Sequence, residues 1–142
     1  MIFRSKSTEA TIKFAKELAE QLKPGRVLGL KGNLGTGKTQ FVKGICEYFE
    51  VKEVVNSPTF ILVNEYEGKD GKANKFTIYH FDLYRLNSAA ELGVIGFDEY
   101  LNKNSLVLIE WPELAEEYLN RKIDTVCFDY GAGDEERVIE IA

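Results

Sequence analysis

One motif constrains the fold of this chain more than any other feature. Residues 32–39 read Gly-Asn-Leu-Gly-Thr-Gly-Lys-Thr and satisfy G-x-x-x-x-G-K-[ST] at every fixed position. The motif follows a short apolar run, Val27–Leu30, that predicts a buried strand, and it precedes a helical pattern. Its glycines let successive backbone N–H groups turn inward around a polyphosphate, and the helix that follows adds the positive end of its dipole. This context predicts an α/β fold built around a phosphate-binding loop.

The motif also predicts which groups meet which part of a bound nucleotide. Lys38 is expected to reach the β- and γ-phosphates, and the Thr39 hydroxyl is expected to ligate Mg²⁺. The residues predicted to bind the nucleotide are Asn33, Leu34, Gly35, Thr36, Gly37, Lys38 and Thr39. The guanine-binding pattern N-K-x-D is absent, because residues 102–105 read Asn-Lys-Asn-Ser, so nothing favours GTP.

The rest of the chain predicts a single P-loop NTPase-like domain, residues 1–142, with a mixed parallel and antiparallel sheet flanked by helices. Ser7 is the expected N-cap of a first helix, and Gly44 inside the second is expected to permit close packing on the sheet. Asp70-Gly71 suits a tight hairpin turn. The predicted strands are Phe60–Tyr66 and Phe76–Tyr84 around that turn, then Leu106–Ile109, Thr125–Tyr130 and Arg137–Ile141, with a short helix over 89–92.

Two carboxylates are candidates for the chemistry at the phosphates. Glu110 ends the apolar run 106–109, and an acid at the carboxyl end of a strand parallel to its neighbours faces the metal in nucleotide-binding sheets. Asp82 shares one strand face with His80, and it could orient the attacking water or hold a metal-bound water. Trp111, directly after Glu110, is either a core residue or part of a site mouth or partner surface.

Residues 57–60, Ser-Pro-Thr-Phe, lie where nucleotide switches place a hydroxyl that senses the γ-phosphate, or they form an ordinary proline turn. His80 is the single histidine of the chain, and a lone strand histidine is more often a packed, hydrogen-bonded residue than a catalyst. The sequence leaves its role open.

Charge and composition narrow the class of protein. The pI is about 5.0; residues 1–71 carry 11 basic and 9 acidic residues, and residues 72–142 carry 7 and 14. A chain with this balance and no basic stripe is poorly suited to hold nucleic acid unaided. The N-terminus has no apolar core of a signal peptide, no run approaches a membrane span, and Cys46 and Cys127 fit no metal spacing. We therefore expect a cytoplasmic protein with no membrane partner and reduced thiols.

Four segments together closely resemble the TsaE (YjeE) family. They are the phosphate loop, Ser57-Pro58-Thr59-Phe60, residues 80–86 (His-Phe-Asp-Leu-Tyr-Arg-Leu) and residues 110–112 (Glu-Trp-Pro), and the resemblance covers nearly the whole sequence. It implies a bacterial ATPase needed for the threonylcarbamoyladenosine modification of tRNA. It further implies that the protein acts with the TsaD and TsaB proteins, that ATP hydrolysis resets the TsaD–TsaB complex, and that tRNA is met only through that complex.

The resemblance also implies residue roles. Thr39 and Glu110 would bind Mg²⁺, and Lys38 with the backbone of residues 35–39 would bind the ATP phosphates. Asp82 and Thr59 would be needed for hydrolysis, and Trp111 for activity or partner contact. The further residues implied at the nucleotide, near the start of the first helix, are Thr8 and Glu9.

Two other functions remain open from the residues alone. A stand-alone P-loop kinase would transfer phosphate to a small molecule, and a non-catalytic module would sense nucleotide without hydrolysing it. Arg85 is the single arginine within these motifs, and whether it or a partner's arginine completes the site is not determined by the sequence.

Overall fold

The structure, a computed structural model, describes residues 1–58 and 62–141. Within them the elements in chain order are β1 (Ile2–Ser5), α1 (Thr8–Ala19), β2 (Val27–Lys31), α2 (Lys38–Tyr48), β3 (Val63–Lys69), β4 (Lys75–Asp82), α3 (Ala90–Val94), a 3₁₀-helix (Phe97–Tyr100), β5 (Ser105–Glu110), α4 (Glu113–Leu119), β6 (Thr125–Tyr130) and β7 (Arg137–Ile141). Among these described residues no helix is both long and apolar enough to cross a membrane.

The seven strands form one mixed sheet in the order β1-β7-β6-β2-β5-β4-β3. Its centre is parallel, since β2 pairs in parallel with β5 and β6, and β4 pairs in parallel with β5. Its edges are antiparallel, because β3 pairs with β4 and β7 pairs with both β6 and β1. This architecture confirms the predicted fold class, a mixed α/β sheet flanked by helices.

The sheet separates two apolar layers. Strand β5 is buried along its whole length, with Leu106 and Leu108 in the layer under α1 and α2, and Val107 and Ile109 in the layer under α3 and α4. This is the continuous apolar run expected of a strand covered on both faces. Because side chains alternate along a strand, Glu110 points to the same face as Leu108, which is the face covered by α2.

The interface between α1 and α2 corrects one prediction. A Cβ added at Gly44 would lie 2.4 Å from the carbonyl oxygen of Ile12 and 2.5 Å from the Cβ of Ala15. Gly44 therefore permits close packing of the two helices on each other, not of α2 on the sheet. The predicted N-cap is confirmed, since the Ser7 hydroxyl accepts a hydrogen bond from the Ala10 amide at 3.1 Å.

Other element boundaries differ from the sequence predictions. Strand β4 ends at Asp82 rather than residue 84, because the Asp82 carboxylate accepts a bond from the Tyr84 amide at 3.0 Å and turns the chain. The hairpin connection is longer than a two-residue turn: the Asp70 amide bonds to the Asn74 carbonyl, and the left-handed residue is Ala73. The part of the predicted strand at 60–61 lies outside the described residues. Elements β1 and α4 were not predicted.

Candidate functional site: a phosphate loop facing two strand ends

The phosphate loop is a tight turn that depends on glycine. Gly35 and Gly37 adopt positive φ values of 77° and 101°, a backbone region that other residues rarely occupy. The Asn33 carbonyl accepts bonds from the Thr36 amide at 3.3 Å and from the Thr36 hydroxyl at 2.6 Å. Thr36 is buried, and these two hydrogen bonds stabilise the turn. Helix α2 begins directly after Gly37, so its N-terminus points at the concave side of the loop.

The outer side of the loop is fastened by the hairpin of β6 and β7. The Tyr130 hydroxyl donates to the Leu34 carbonyl, and Arg137 Nε donates to the Gly35 carbonyl at 3.0 Å. In a trans peptide the C=O and the next N–H point in opposite directions. The Gly35 amide, which follows the Leu34 carbonyl, is therefore directed away from the hairpin, as binding of a polyphosphate inside the loop requires. The Thr36 amide, which follows the Gly35 carbonyl, already donates to the Asn33 carbonyl. Neither Tyr130 nor Arg137 was predicted as a site residue.

Lys38 sits at the first position of α2 and is almost wholly buried. Its ammonium donates to the Gly32 carbonyl and lies 4.0 Å from the centre of the Trp111 ring, a cation–π distance. Burial lowers the pKa of Lys38, and the nearby Glu110 and Asp82 carboxylates oppose that shift. An ammonium has three donors, so the bond to Gly32 leaves two for a phosphate.

The two candidate carboxylates meet at the carboxyl end of the parallel strands. In the β4–β5 register Asp82 is the partner of Glu110, and Glu110 is in turn the partner of Leu30 on β2. Burial raises the pKa of Asp82, and the Glu110 charge adds to the effect. The Ser57 hydroxyl lies 3.4 Å from the Asp82 carboxylate, and His80 Nε2 lies 2.6 Å from Glu110 Oε2.

These groups surround one cavity of about 480 Å³, a size typical of small-molecule sites. Lys38 and Thr39 border it from α2, Asp82 and Glu110 from the strand ends, and Thr8 from α1. The other bordering residues are Ser7, Thr11, Leu34, Gly35, Gly37, Gln40, Ser57, Glu135 and Arg137. Sequence segments more than 100 residues apart are thus brought to one site.

Some predicted site residues lie elsewhere. Glu9 is exposed and Asn33 and Thr36 support the loop from behind, so none of the three borders the cavity in the described chain. Thr59 lies outside the described residues. Arg85 is exposed and is not among the described residues around the cavity, although it does take part in an interaction.

Trp111 lies beside the site: it contacts Lys38 and packs against the apolar layer under α3 and α4, but it is not among the described residues that border the cavity. Its φ of 59° is left-handed, which turns the chain sharply after Glu110, and its amide donates to the Leu30 carbonyl at 3.2 Å. The indole lies over Lys38 and 5.0 Å from the Tyr84 ring, measured between ring centres. Its buried Nε1 has no hydrogen-bond partner among the residues the structure describes. Strained backbone of this kind is found most often at functional sites.

The described residues of the site suit a magnesium ion that is shared with a nucleotide. In residues 1–58 and 62–141 no group of three or more His, Cys, Asp and Glu side chains is placed to hold a metal alone. Mg²⁺ keeps several waters and binds through one or two carboxylates together with substrate phosphates. The Thr39 hydroxyl and the Glu110 carboxylate supply hard oxygen donors beside the same cavity, which suits such a shared site.

Comparisons with known proteins agree on one family. The family model described as threonylcarbamoyl adenosine biosynthesis protein TsaE matches residues 5–139. The tRNA threonylcarbamoyladenosine biosynthesis protein TsaE of Rickettsia conorii is 49% identical over 115 residues, which are 80% of this chain and 62% of that protein, so the chain spans less than two thirds of this relative. The Bacillus subtilis protein of the same name is 40% identical over 137 residues, 96% of this chain and 82% of that protein. The crystal structure of Bacillus subtilis YdiB matches with a TM-score of 0.76 at 36% identity, covering 98% of this chain and 82% of that one.

Proposed function

Because this chain belongs to the TsaE family of threonylcarbamoyl adenosine biosynthesis proteins, we propose that it is a Mg²⁺-dependent ATPase supporting the threonylcarbamoyladenosine modification at position 37 of tRNA. It acts in the cytoplasm on the TsaD–TsaB complex and meets tRNA only through that complex. The ATPase site lies within one domain, residues 1–142. The observation that carries this proposal is the convergence of Lys38 and Thr39 with Asp82 and Glu110 around one cavity.

The residues divide the chemistry among them. Lys38 and the loop amides neutralise the charge that develops on the phosphates, and Asp82 accepts a hydrogen bond from the attacking water. Thr39 and Glu110 would hold Mg²⁺, which would supply further neutralisation of the phosphate charge. Burial raises the pKa of Asp82, which makes this carboxylate a better proton acceptor than an exposed one. Thr59 keeps the role in hydrolysis implied by the resemblance.

Hydrolysis by the chain alone is expected to be slow. An arginine that reaches the transferred phosphate is worth about 10³–10⁵ in rate. Arg85 does not border the cavity in the described chain, and Arg137 already donates to the carbonyls of Gly35, Asp134 and Glu136. We therefore propose that TsaD–TsaB supplies or repositions a group that completes the site.

The test measures Mg²⁺-ATP binding by calorimetry and ADP release with and without TsaD–TsaB. Lys38→Ala is expected to abolish binding, whereas Lys43→Ala, on the same helix but away from the cavity, should bind as the unaltered chain does. Equal rates with and without the partners would refute the dependence on TsaD–TsaB. Phosphate appearing on an added small molecule would identify a kinase, and Asp82→Ala without loss of tRNA modification would identify a non-catalytic sensor.

A further inference from the structure

The strongest unexplained feature of the site is the contact between His80 and Glu110. His80 Nε2 and Glu110 Oε2 are 2.6 Å apart, and the two side chains are 0% and 5% exposed. They come from neighbouring parallel strands: His80 pairs with Leu108, two residues before Glu110. Because side chains two apart share a strand face, the imidazole lies beneath the carboxylate on the face covered by α2.

His80 lacks the bonding expected of an ordinary core histidine. Since a carboxylate oxygen accepts, Nε2 is the ring nitrogen that donates to Glu110. The other nitrogen, Nδ1, is buried and has no hydrogen-bond partner among the described residues. Buried polar groups normally have hydrogen-bond partners, because an unpaired one has lost its bonds to water without replacement. Among the described residues, the imidazole therefore forms a hydrogen bond with Glu110 and with no other polar group. A wider hydrogen-bond network does not explain why a histidine is buried here.

The hydrogen bond from His80 matters for Glu110 because the Lys38 ammonium, which also attracts the carboxylate, is close. Glu110 and Lys38 border the same cavity, and the Glu110 charge acts on the Lys38 ammonium. Without the bond from His80, electrostatic attraction would draw the Glu110 carboxylate toward that ammonium. The bond from His80 fixes the orientation of the carboxylate and still leaves lone pairs of Glu110 for a cation. Mg²⁺ demands near-octahedral geometry at short distances, so a fixed oxygen binds it better than a mobile one.

We propose that His80 is a positioning residue that fixes the Glu110 carboxylate for Mg²⁺ in the nucleotide complex. The inference rests on the proposed function, because it needs a nucleotide that shares the metal with this chain. In this role His80 would not touch the metal but would orient the carboxylate that binds it. Loss of a residue that orients a metal ligand typically weakens metal affinity by about 10–100-fold.

The test measures Mg²⁺ binding by calorimetry in the presence of saturating ADP, together with ADP binding without Mg²⁺. His80→Leu removes the donor at similar volume, and His80→Gln is the matched control, because its amide nitrogen reaches about as far as Nε2. We expect His80→Leu to weaken Mg²⁺ binding about 10–100-fold and His80→Gln to restore most of it. ADP binding without Mg²⁺ should be unchanged in both, since the loop and Lys38 supply it.

A thermal unfolding scan shows whether each variant is folded. If His80→Leu does not fold, His80→Asn replaces it, because the shorter amide ends near the position of Nδ1 and does not reach Glu110. Unchanged Mg²⁺ affinity in the variant without a donor would overturn the inference, as would an equal loss of ADP binding without Mg²⁺. If the unaltered chain itself shows no Mg²⁺-dependent ADP binding, the proposed function fails instead.

Discussion

Replacing Gly44 by alanine tests how closely α1 and α2 approach each other. The added Cβ would lie 2.4 Å from the Ile12 carbonyl oxygen and 2.5 Å from the Ala15 Cβ, whereas ordinary contacts are 3.4–4 Å. Both neighbours are fixed to the backbone of α1, so neither can rotate away, and the helices must separate by about 1 Å. Overpacking costs about 1–3 kcal/mol, and a clash this close to the backbone of α1 belongs at the upper end, about 2–3 kcal/mol. The better helix propensity of alanine offsets about 1 kcal/mol of it.

We therefore expect Gly44→Ala to lower the free energy of unfolding by about 1–2 kcal/mol. For a chain of this size that corresponds to a Tm lower by roughly 3–8 °C in a scanning calorimetry or circular dichroism melt. Gly71→Ala is the matched control, because nothing lies within 4 Å of the Cβ it would add, and it should change stability by less than about 0.5 kcal/mol. A Gly44→Ala variant as stable as the unaltered chain would refute the close approach.

Three further substitutions test other parts of the site. Burial raises the pKa of Asp82, so its ionisation in the folded chain costs stability at pH 7. Asp82→Asn should therefore lose ATP hydrolysis but be more stable at pH 7, by a margin that closes as the pH falls from the raised pKa to the ordinary aspartate pKa. A margin independent of pH in chemical denaturation would contradict this. Arg137→Met removes the hydrogen bond to the Gly35 carbonyl, and the affinity for ADP, measured by calorimetry, should fall about fivefold to tenfold. An unchanged affinity would show that this bond does not contribute to nucleotide binding. Ser7→Ala loses the bond to the Ala10 amide and should cost about 1 kcal/mol in a thermal melt without nucleotide, and an unchanged Tm would show that the cap is not needed.

Elements that depend on short-range sequence patterns were predictable. The phosphate loop, the first two helices and the strands β2, β5, β6 and β7 all follow from short-range patterns, and β6 and β7 occupy the predicted residues. Glu110 was placed at the cavity by one additional rule, that strands beside a phosphate loop run parallel, and the pairing of β2 with β5 confirms that rule. Helix α4 was missed although Pro112 directly precedes it. Proline suits the start of a helix, and the residues after it are good helix formers.

Features that depend on distant contacts were not predictable. Strand β1 is four residues long and becomes a strand through pairing with β7. The bond between His80 and Glu110 joins residues 30 apart, and those from Tyr130 and Arg137 to the phosphate loop join residues 96 and 102 apart. No local pattern carries these contacts, since each follows from strand order.

The fastening of the loop by the β6–β7 hairpin has a consequence for synthesis on the ribosome. Translation adds about 5–20 residues per second, and Arg137 follows Gly35 by 102 residues. A nascent chain therefore contains the phosphate loop for roughly 5–20 s before Arg137 has been added to it. On the proposed function, a polypeptide truncated before β7 lacks the bond from Arg137 to the loop and should bind ATP more weakly than the full chain.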